Sequence, residues 1–313
     1  MLAVASVFLV WILHKVGWGT LWSHLQQVGW YFPLLLMPYG LVNWLEAMSW
    51  KYLLLDPLPG ALPLRRLFWL RLGGEALNQL TPTASLGGEP FKITGLLANG
   101  LGWEVAAASV VIHKAILVLS LALYVIMGLA MAPLLLPVAG GQLAFLSLGA
   151  LFLAASGVFL VVGQRLGFLS QGIRLVCRSG WCPARLKEKE TFFTDLDQRL
   201  ADFYRQHPGR AALAFVIFFL SWVLHAVEVY VMFWLLGHPI SWPLAICLDA
   251  LAMLFTAMGF FIPAAIGIQE GGNLLLALGF DLGLGLGAAF SILRRLREAF
   301  WLTLGLVAVA REK

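Results

Sequence analysis

The stretch Leu244–Phe280, LAICLDALAMLFTAMGFFIPAAIGIQEGGNLLLALGF, is apolar in both arms and is interrupted between them by proline and glycine. A straight membrane-spanning helix needs only about 20 apolar residues, whereas a break between two apolar arms is typical of a re-entrant hairpin or a discontinuous helix. The stretch Leu67–Ala98 has the same organisation. The residues that break the two stretches are Pro82, Gly87, Gly88, Pro263, Gly267 and Gly271.

The composition of the whole chain is apolar enough to require a membrane. Of its 313 residues, 61% are hydrophobic and 12% are charged, while soluble domains have about 25% charged residues. If the apolar start Met1–Leu13 is a short first span, the sequence predicts an all-α integral membrane protein with about six transmembrane helices and two re-entrant hairpins. The other five candidate spans are Tyr31–Leu55, Trp103–Met131, Gln142–Gly163, Arg210–Leu236 and Leu284–Val309.

The long polar stretch Gln164–Pro208 sets the predicted orientation. It is rich in arginine and lysine, and basic loops stay on the cytoplasmic side. Counting outward from it, with each broken stretch returning to its own side, places both termini in the cytoplasm. We therefore predict a multi-pass protein of the bacterial cytoplasmic membrane. Within the stretch, apolar residues recur at helical spacing over Phe192–Tyr204, so a helix there either lies on the inner leaflet or caps the bundle.

An internal repeat divides the single membrane domain, residues 1–313, into two halves. Repeat A covers about 30–131, the cytoplasmic linker about 164–209 and repeat B about 210–310. Each half has a span, a broken hairpin and a long span, and the halves run in opposite directions, which defines an inverted-topology repeat. An offset of 181 positions relates Pro82 to Pro263, Glu89 to Glu270, His113 to Arg294 and Lys114 to Arg295, and Glu46 and Glu228 are one position off it.

The polar residues inside the predicted membrane region indicate an anion site. A charge at bilayer depth costs at least about 2.5–3.5 kcal/mol, so such residues are paired, hydrated or functional. Second arms that begin near Gly88 and Gly271 would direct free N–H groups and a positive helix end toward the middle of the bundle. A lipid phosphate would suit such a site. The predicted substrate-binding residues are Glu89, Lys92, Lys114, Glu270, Arg294 and Arg295.

The roles of several charged residues stay open at this stage. Glu89 and Glu270 could stabilise a helix N-terminus, hold the basic side chains or take up a proton. Coupling or structural pairing is the expectation for Glu46, His113 and Glu228. Pairing across the bundle is the expectation for Glu75, Asp249, Arg297 and Glu298, and interhelical hydrogen bonding for Asn43 and His225.

At these motifs the chain resembles the flippase-like family named for the transmembrane region of lysylphosphatidylglycerol synthases. The resemblance is carried by Asn78–Pro82, Gly87–Glu89 and Lys92, and by Pro263, Gly267–Gly272 and Arg294-Arg295. The sequences of Gln269–Gly272 and Arg294–Glu298 are most similar to those of the branch associated with hopanoid biosynthesis. The resemblance implies a lipid-translocating domain whose characteristic positions are Glu89, Lys92, Pro263, Glu270 and one of Arg294 and Arg295.

The function expected from these features is a lipid transporter that moves an anionic phospholipid, a lipid-linked glycan or a hopanoid-type lipid between leaflets. An intramembrane lipid-modifying enzyme, with Glu89 and Glu270 as acid and base, and a proton-coupled carrier of a small anionic solute are the alternatives. A partner that recruits lipid-biosynthesis enzymes is a third. We expect no enzyme activity, cofactor, metal or nucleic acid, because no catalytic or nucleotide-binding motif and no basic stripe on a soluble domain is present.

Overall fold

The computed structural model describes residues 28–54, 62–83, 85–135, 140–178, 190–259 and 261–312, together with Trp22 and Gln26. Within these residues the chain forms eleven α-helices and no β-strand. This confirms the all-α prediction. The predicted first span, Met1–Leu13, lies outside the described residues.

The helices follow one another in the same order in two parts of the chain. The first part contains a 3-10 turn at Gly29–Tyr31, then α1 (Phe32–Leu53), α2 (Leu64–Leu80), α3 (Glu89–Leu97) and α4 (Trp103–Leu135). The connecting part contains α5 (Gly140–Leu166), α6 (Phe168–Arg178) and α7 (Glu190–Gln206). The last part contains α8 (Pro208–Leu235), α9 (Trp242–Met258), a 3-10 turn (Pro263–Ala265), α10 (Ile268–Gly279) and α11 (Gly283–Arg311).

Three helices of the described residues are long and apolar enough to cross a membrane. They are Trp103–Leu135, Leu146–Leu166 and Pro208–Leu235. The 29-residue helix α11 is also long enough, but it carries four charged residues near its middle, Arg294, Arg295, Arg297 and Glu298. The chain is therefore an all-α membrane protein, and the number of its spans stays a prediction.

The first broken stretch folds back on itself. Helix α3 packs antiparallel to α2, because Gly95 lies against Leu70 while Gly74 lies against Lys92 and Gly88. Helix α3 has only nine residues, about 14 Å at 1.5 Å per residue, whereas the hydrocarbon core of a bilayer is about 30 Å thick. The break between the two helices lies at residues 81–88, as the sequence predicts.

The second broken stretch has the same form, with one correction to the prediction. Helices α9 and α10 also fold onto each other, with Gly272 against Phe255. Gly271, which the sequence places in the break, instead lies inside α10, where its N–H donates to the carbonyl of Gly267 at 3.1 Å. The helix begins earlier because Gly267, with φ +88°, makes the turn that a residue with a side chain rarely makes.

The first and last parts of the bundle pack against each other through corresponding pairs of helices. Helix α1 packs along α8, α2 packs along α11, and α9 packs along α4. The α1–α8 pair is antiparallel, because Ser49 donates to the carbonyl of Ala214 at 3.0 Å while Tyr39 contacts His225. Each of these pairs thus joins one helix from the first part to one from the last part.

The connecting part is folded onto the bundle rather than separate from it. Leu196, Leu200 and Phe203 of α7 are almost fully buried and belong to the same core cluster as residues of α4. Tyr204 donates to Gln164 at 2.9 Å, and Gln164 donates to the carbonyl of Val111 at 3.2 Å. Of the two alternatives for this helix, the structure places it as a cap on the bundle, since protein covers its apolar face.

Candidate functional site

The first break is organised by Asn78, the side chain at its entrance. The N–H of Gly88 donates to Asn78 Oδ1 at 2.7 Å, and Asn78 Nδ2 donates to Glu89 Oε1 at 3.2 Å. Gly88 lies so close to the carbonyl of Gly74 that a Cβ atom would overlap it. From the sequence, Asn78 was only the first residue of the motif Asn78–Pro82, since a single asparagine carries little signal until its partners are known.

Two lysines bind the carboxylate at the first break. Lys92 Nζ donates to both oxygens of Glu89, at 3.2 and 3.1 Å, and Lys114 Nζ lies 3.7 Å from Glu89 Oε1. Lys114 also donates to the carbonyl of Ser85 at 2.8 Å. One carboxylate at the start of α3 therefore joins the break to α4.

The second break is held in the same way, by an arginine. Glu270 Oε2 accepts the N–H of Gly267 at 2.7 Å, and Arg295 Nε donates to Glu270 Oε1 at 2.5 Å. Arg295 Nη1 donates to the carbonyl of Ala264 at 2.9 Å. Arg295 also binds Glu298 at 2.8 Å. This carboxylate of α10 thus joins the second break to α11.

The two breaks therefore share one set of contacts. In each, a cation of the following long helix binds both a backbone carbonyl of the break and the glutamate of the second arm. The residues that do so, Lys114 with Glu89 and Arg295 with Glu270, are those related by the offset of 181 positions. The second break also packs against α2, the first arm of the other hairpin.

Arg294 and His113, also related by the offset, bind neither of the two break glutamates among the described residues. Arg294 is 2% exposed and donates to Asp249 Oδ1 at 3.0 Å, while Tyr124 donates to Asp249 Oδ2 at 3.0 Å. His113 lies among aromatic rings and, within the described chain, neither of its ring nitrogens has a hydrogen-bond partner. Of the two arginines that the resemblance left open, Arg295 is the one at a break.

Glu46 and Glu228 form buried ion pairs within their own halves. Glu46 pairs with Arg71 of α2, and Glu228 Oε1 accepts from Arg297 Nε at 2.7 Å. The two glutamates lie on equivalent helices, α1 and α8, whereas their arginines do not, since Arg71 is on α2 and Arg297 is on α11. Of the two roles expected for these glutamates, the contacts are those of structural pairing. Arg71 was missed by the sequence analysis because it follows other basic residues at the start of its helix.

A chain of contacts through α1 connects the two buried ion pairs. Arg71 Nη1 donates to Asn43 Oδ1 at 2.5 Å, and Asn43 Nδ2 donates to the carbonyl of Tyr39 at 2.8 Å. The guanidinium of Arg297 lies 4.0 Å from the centre of the Tyr39 ring, a favourable cation–π distance. The hydrogen bonds of Asn43 are made to its own helix and to α2.

Every predicted basic site residue contacts a carboxylate in this conformation. The partners are Glu89 for Lys92 and Lys114, Asp249 for Arg294, and Glu270 for Arg295. Three guanidinium nitrogens nevertheless have no hydrogen-bond partner in the described part of the chain, namely Nε and Nη1 of Arg294 and Nη2 of Arg295. The site is therefore a set of ion pairs in which some guanidinium N–H donors have no acceptor. The described residues contain no cluster of the kind that holds a metal ion.

Comparison with known proteins identifies one family. The family model described as the lysylphosphatidylglycerol synthase TM region matches residues 1–305. The match is to the family as a whole and does not distinguish its branches, so the hopanoid-associated branch stays a prediction. No curated protein and no solved structure matches the chain.

Proposed function

Because the chain belongs to the lysylphosphatidylglycerol synthase TM-region family, we propose that it is a lipid transporter. It binds the anionic head group of a membrane lipid between its two broken hairpins and moves the lipid between leaflets. The family match covers a transmembrane region, so the proposal assigns no synthase chemistry to the chain. Its partners are membrane lipids, and its place is the bacterial cytoplasmic membrane with both termini in the cytoplasm.

The observation that carries the proposal is the shared set of contacts at the two breaks. In each, a side-chain cation is held by a carboxylate at the start of a short helix, where backbone N–H groups also face the break. A lipid phosphate presents the same charge and the same acceptor oxygens as the carboxylate. The head group would therefore displace Glu89 or Glu270 and take over the contact with Lys114 or Arg295.

Exchange of one anion for another keeps the cost of the buried charge low throughout transport. Removing one partner of a buried ion pair destabilises a protein by several kcal/mol. If phosphate arrives as the carboxylate leaves, Arg295 keeps an anion in the place of Glu270, beside its contact with Glu298. A planar guanidinium can hold two phosphate oxygens at once, whereas an ammonium binds as a point charge. The second break would accordingly bind the head group more tightly than the first.

The inverted-topology repeat supplies the movement in this proposal. The equivalent helix order, the antiparallel α1–α8 pair and the exchanged α2–α11 and α4–α9 contacts support it. Two hairpins that enter from opposite sides can alternate between facing one leaflet and facing the other. The lipid tails would remain in the bilayer while the head group passes between the two breaks.

The test is lipid movement in liposomes that contain the purified protein and a trace of fluorescent phosphatidylglycerol. A membrane-impermeant quencher reports the rate at which inner-leaflet probe reaches the outer leaflet. We expect Arg295→Gln to lower this rate at least tenfold, because the head group loses its main cation. Arg205→Gln, which removes an exposed arginine of α7, is the matched control and should leave the rate unchanged.

Glu270→Gln separates anion exchange from a purely structural role. Without the competing carboxylate, Arg295 should bind phosphatidylglycerol more tightly, while the movement of the lipid slows because release is impaired. Binding is measured by titrating short-chain phosphatidylglycerol and following thermal unfolding. Wild-type rates of lipid movement in folded Arg295→Gln and Glu270→Gln proteins would refute the proposed site.

A further inference from the structure

A cavity of about 490 Å³ opens between the start of α2 and the end of α11. It lies at the opposite end of α2 from the first break, and this 17-residue helix is about 25 Å long. The cavity is therefore separate from the proposed transport site. Its lining residues come from the beginning of α2 and the end of α11.

The charges around the cavity favour an anion. Three of its lining residues are arginines and one is a glutamate. Arg66 binds Glu312 at 2.7 Å, which leaves the exposed Arg65 and Arg311 to act on a ligand from the two sides. The first turn of α2 contains no acidic residue and no side-chain cap, so the positive end of the helix adds to the same potential.

The apolar part of the lining favours a lipid over a free ion. Trp69, Val307 and Ala308 form this part, and Val307 is 41% exposed on the outer surface of the bundle. Tryptophan and arginine at a helix end are the residues that anchor a protein at the membrane interface. An acyl chain could lie along this apolar surface while its phosphate enters the basic cavity.

We propose that the cavity is a second lipid site, in which the phosphate of an anionic phospholipid is held between Arg65 and Arg311. The two arginines belong to α2 and α11, which come from different halves of the chain. These helices pack closely, since a Cβ atom at Gly305 would lie 2.6 Å from the carbonyl of Leu72. A lipid bound at the end of this contact joins the two helices and stabilises their packing.

The test compares lipids that differ in net charge but not in their phosphodiester. Short-chain phosphatidylglycerol and phosphatidylcholine are titrated into the full-length protein in neutral detergent while thermal unfolding is followed. The transport site also binds anionic lipid, so the experiment is made in an Arg295→Gln background. We expect phosphatidylglycerol to raise the unfolding temperature, and the double variant Arg65→Gln/Arg311→Gln to weaken its apparent affinity at least tenfold.

The matched control is Arg199→Gln/Arg205→Gln, which removes two exposed arginines of α7 and should leave the affinity unchanged. Equal stabilisation by glycerol phosphate would show that the site takes a free anion and would overturn its assignment to a lipid. Unchanged affinity in Arg65→Gln/Arg311→Gln, or no stabilisation by phosphatidylglycerol, would overturn the site altogether. Lipid movement measured with Arg65→Gln/Arg311→Gln alone tests the transport function independently of these results.

Discussion

Replacing Arg297 with methionine will lower the free energy of unfolding by about 3–5 kcal/mol, the usual cost of leaving one member of a buried ion pair without the other. The side chains of Arg297 and Glu228 are 2% and 3% exposed, so water cannot solvate the Glu228 carboxylate once the guanidinium is missing. The substitution also removes the cation–π contact with Tyr39. Chemical unfolding in mixed micelles, followed by tryptophan fluorescence, measures the loss.

The double variant Arg297→Met/Glu228→Leu distinguishes the ion pair from packing. It removes both charges and keeps much of the apolar volume, so it should recover most of the stability that Arg297→Met loses. Arg205→Met, which replaces an exposed arginine of α7, should change the stability by less than about 0.5 kcal/mol. A double variant as unstable as Arg297→Met would show that packing around the arginine, rather than the unpaired carboxylate, accounts for the loss.

Gly88→Ala will prevent the first hairpin from closing as it does in the wild-type protein. The added methyl group would overlap the carbonyl oxygen of Gly74, and a backbone atom within α2 cannot rotate aside as a side chain can. Overpacking of this kind costs about 1–3 kcal/mol, and more where the neighbour is rigid. We expect about 3 kcal/mol, together with loss of lipid movement, because Glu89 and Asn78 depend on this approach.

The control for Gly88→Ala is Gly209→Ala, since a Cβ atom at Gly209 meets no atom within 4 Å. Gly209 lies in the first turn of α8, where alanine should be neutral or slightly stabilising. Unfolding free energies and rates of lipid movement are measured for both variants. A Gly88→Ala protein with wild-type stability and transport would mean that α2 and α3 need not pack this closely.

Local chemistry explains what could be predicted about the site. Proline removes a backbone donor and glycine adds conformational freedom, so clusters of the two favour a break in an apolar helix, and the breaks at Pro82 and Pro263 were visible in the sequence. A single proline is not enough, because Pro38 and Pro133 lie inside helices. The residues at which each break begins and ends were harder to predict. Gly271 belongs to α10 because Gly267 takes the positive φ, and nothing in the sequence says which of several glycines will do so.

The choice between Arg294 and Arg295 shows what the sequence lacks. Consecutive residues of a helix project about 100° apart, so they face different neighbours. Arg295 reaches Glu270 at the break, whereas Arg294 reaches Asp249. Which arginine does which depends on the rotation of α11, and that rotation is set by its packing against α2 and α10.

By itself, the sequence determined that this protein folds in a membrane and where its apolar segments are broken. Hydrophobicity summed over about 20 residues decides membrane insertion, and the clusters of proline and glycine at the two breaks weaken a helix locally, so neither property needs tertiary contacts. Only the tertiary structure decided the partner of each buried charge and the burial of α7 against the bundle. Such pairings depend on angles and distances between helices that are remote in sequence, and no local pattern encodes them.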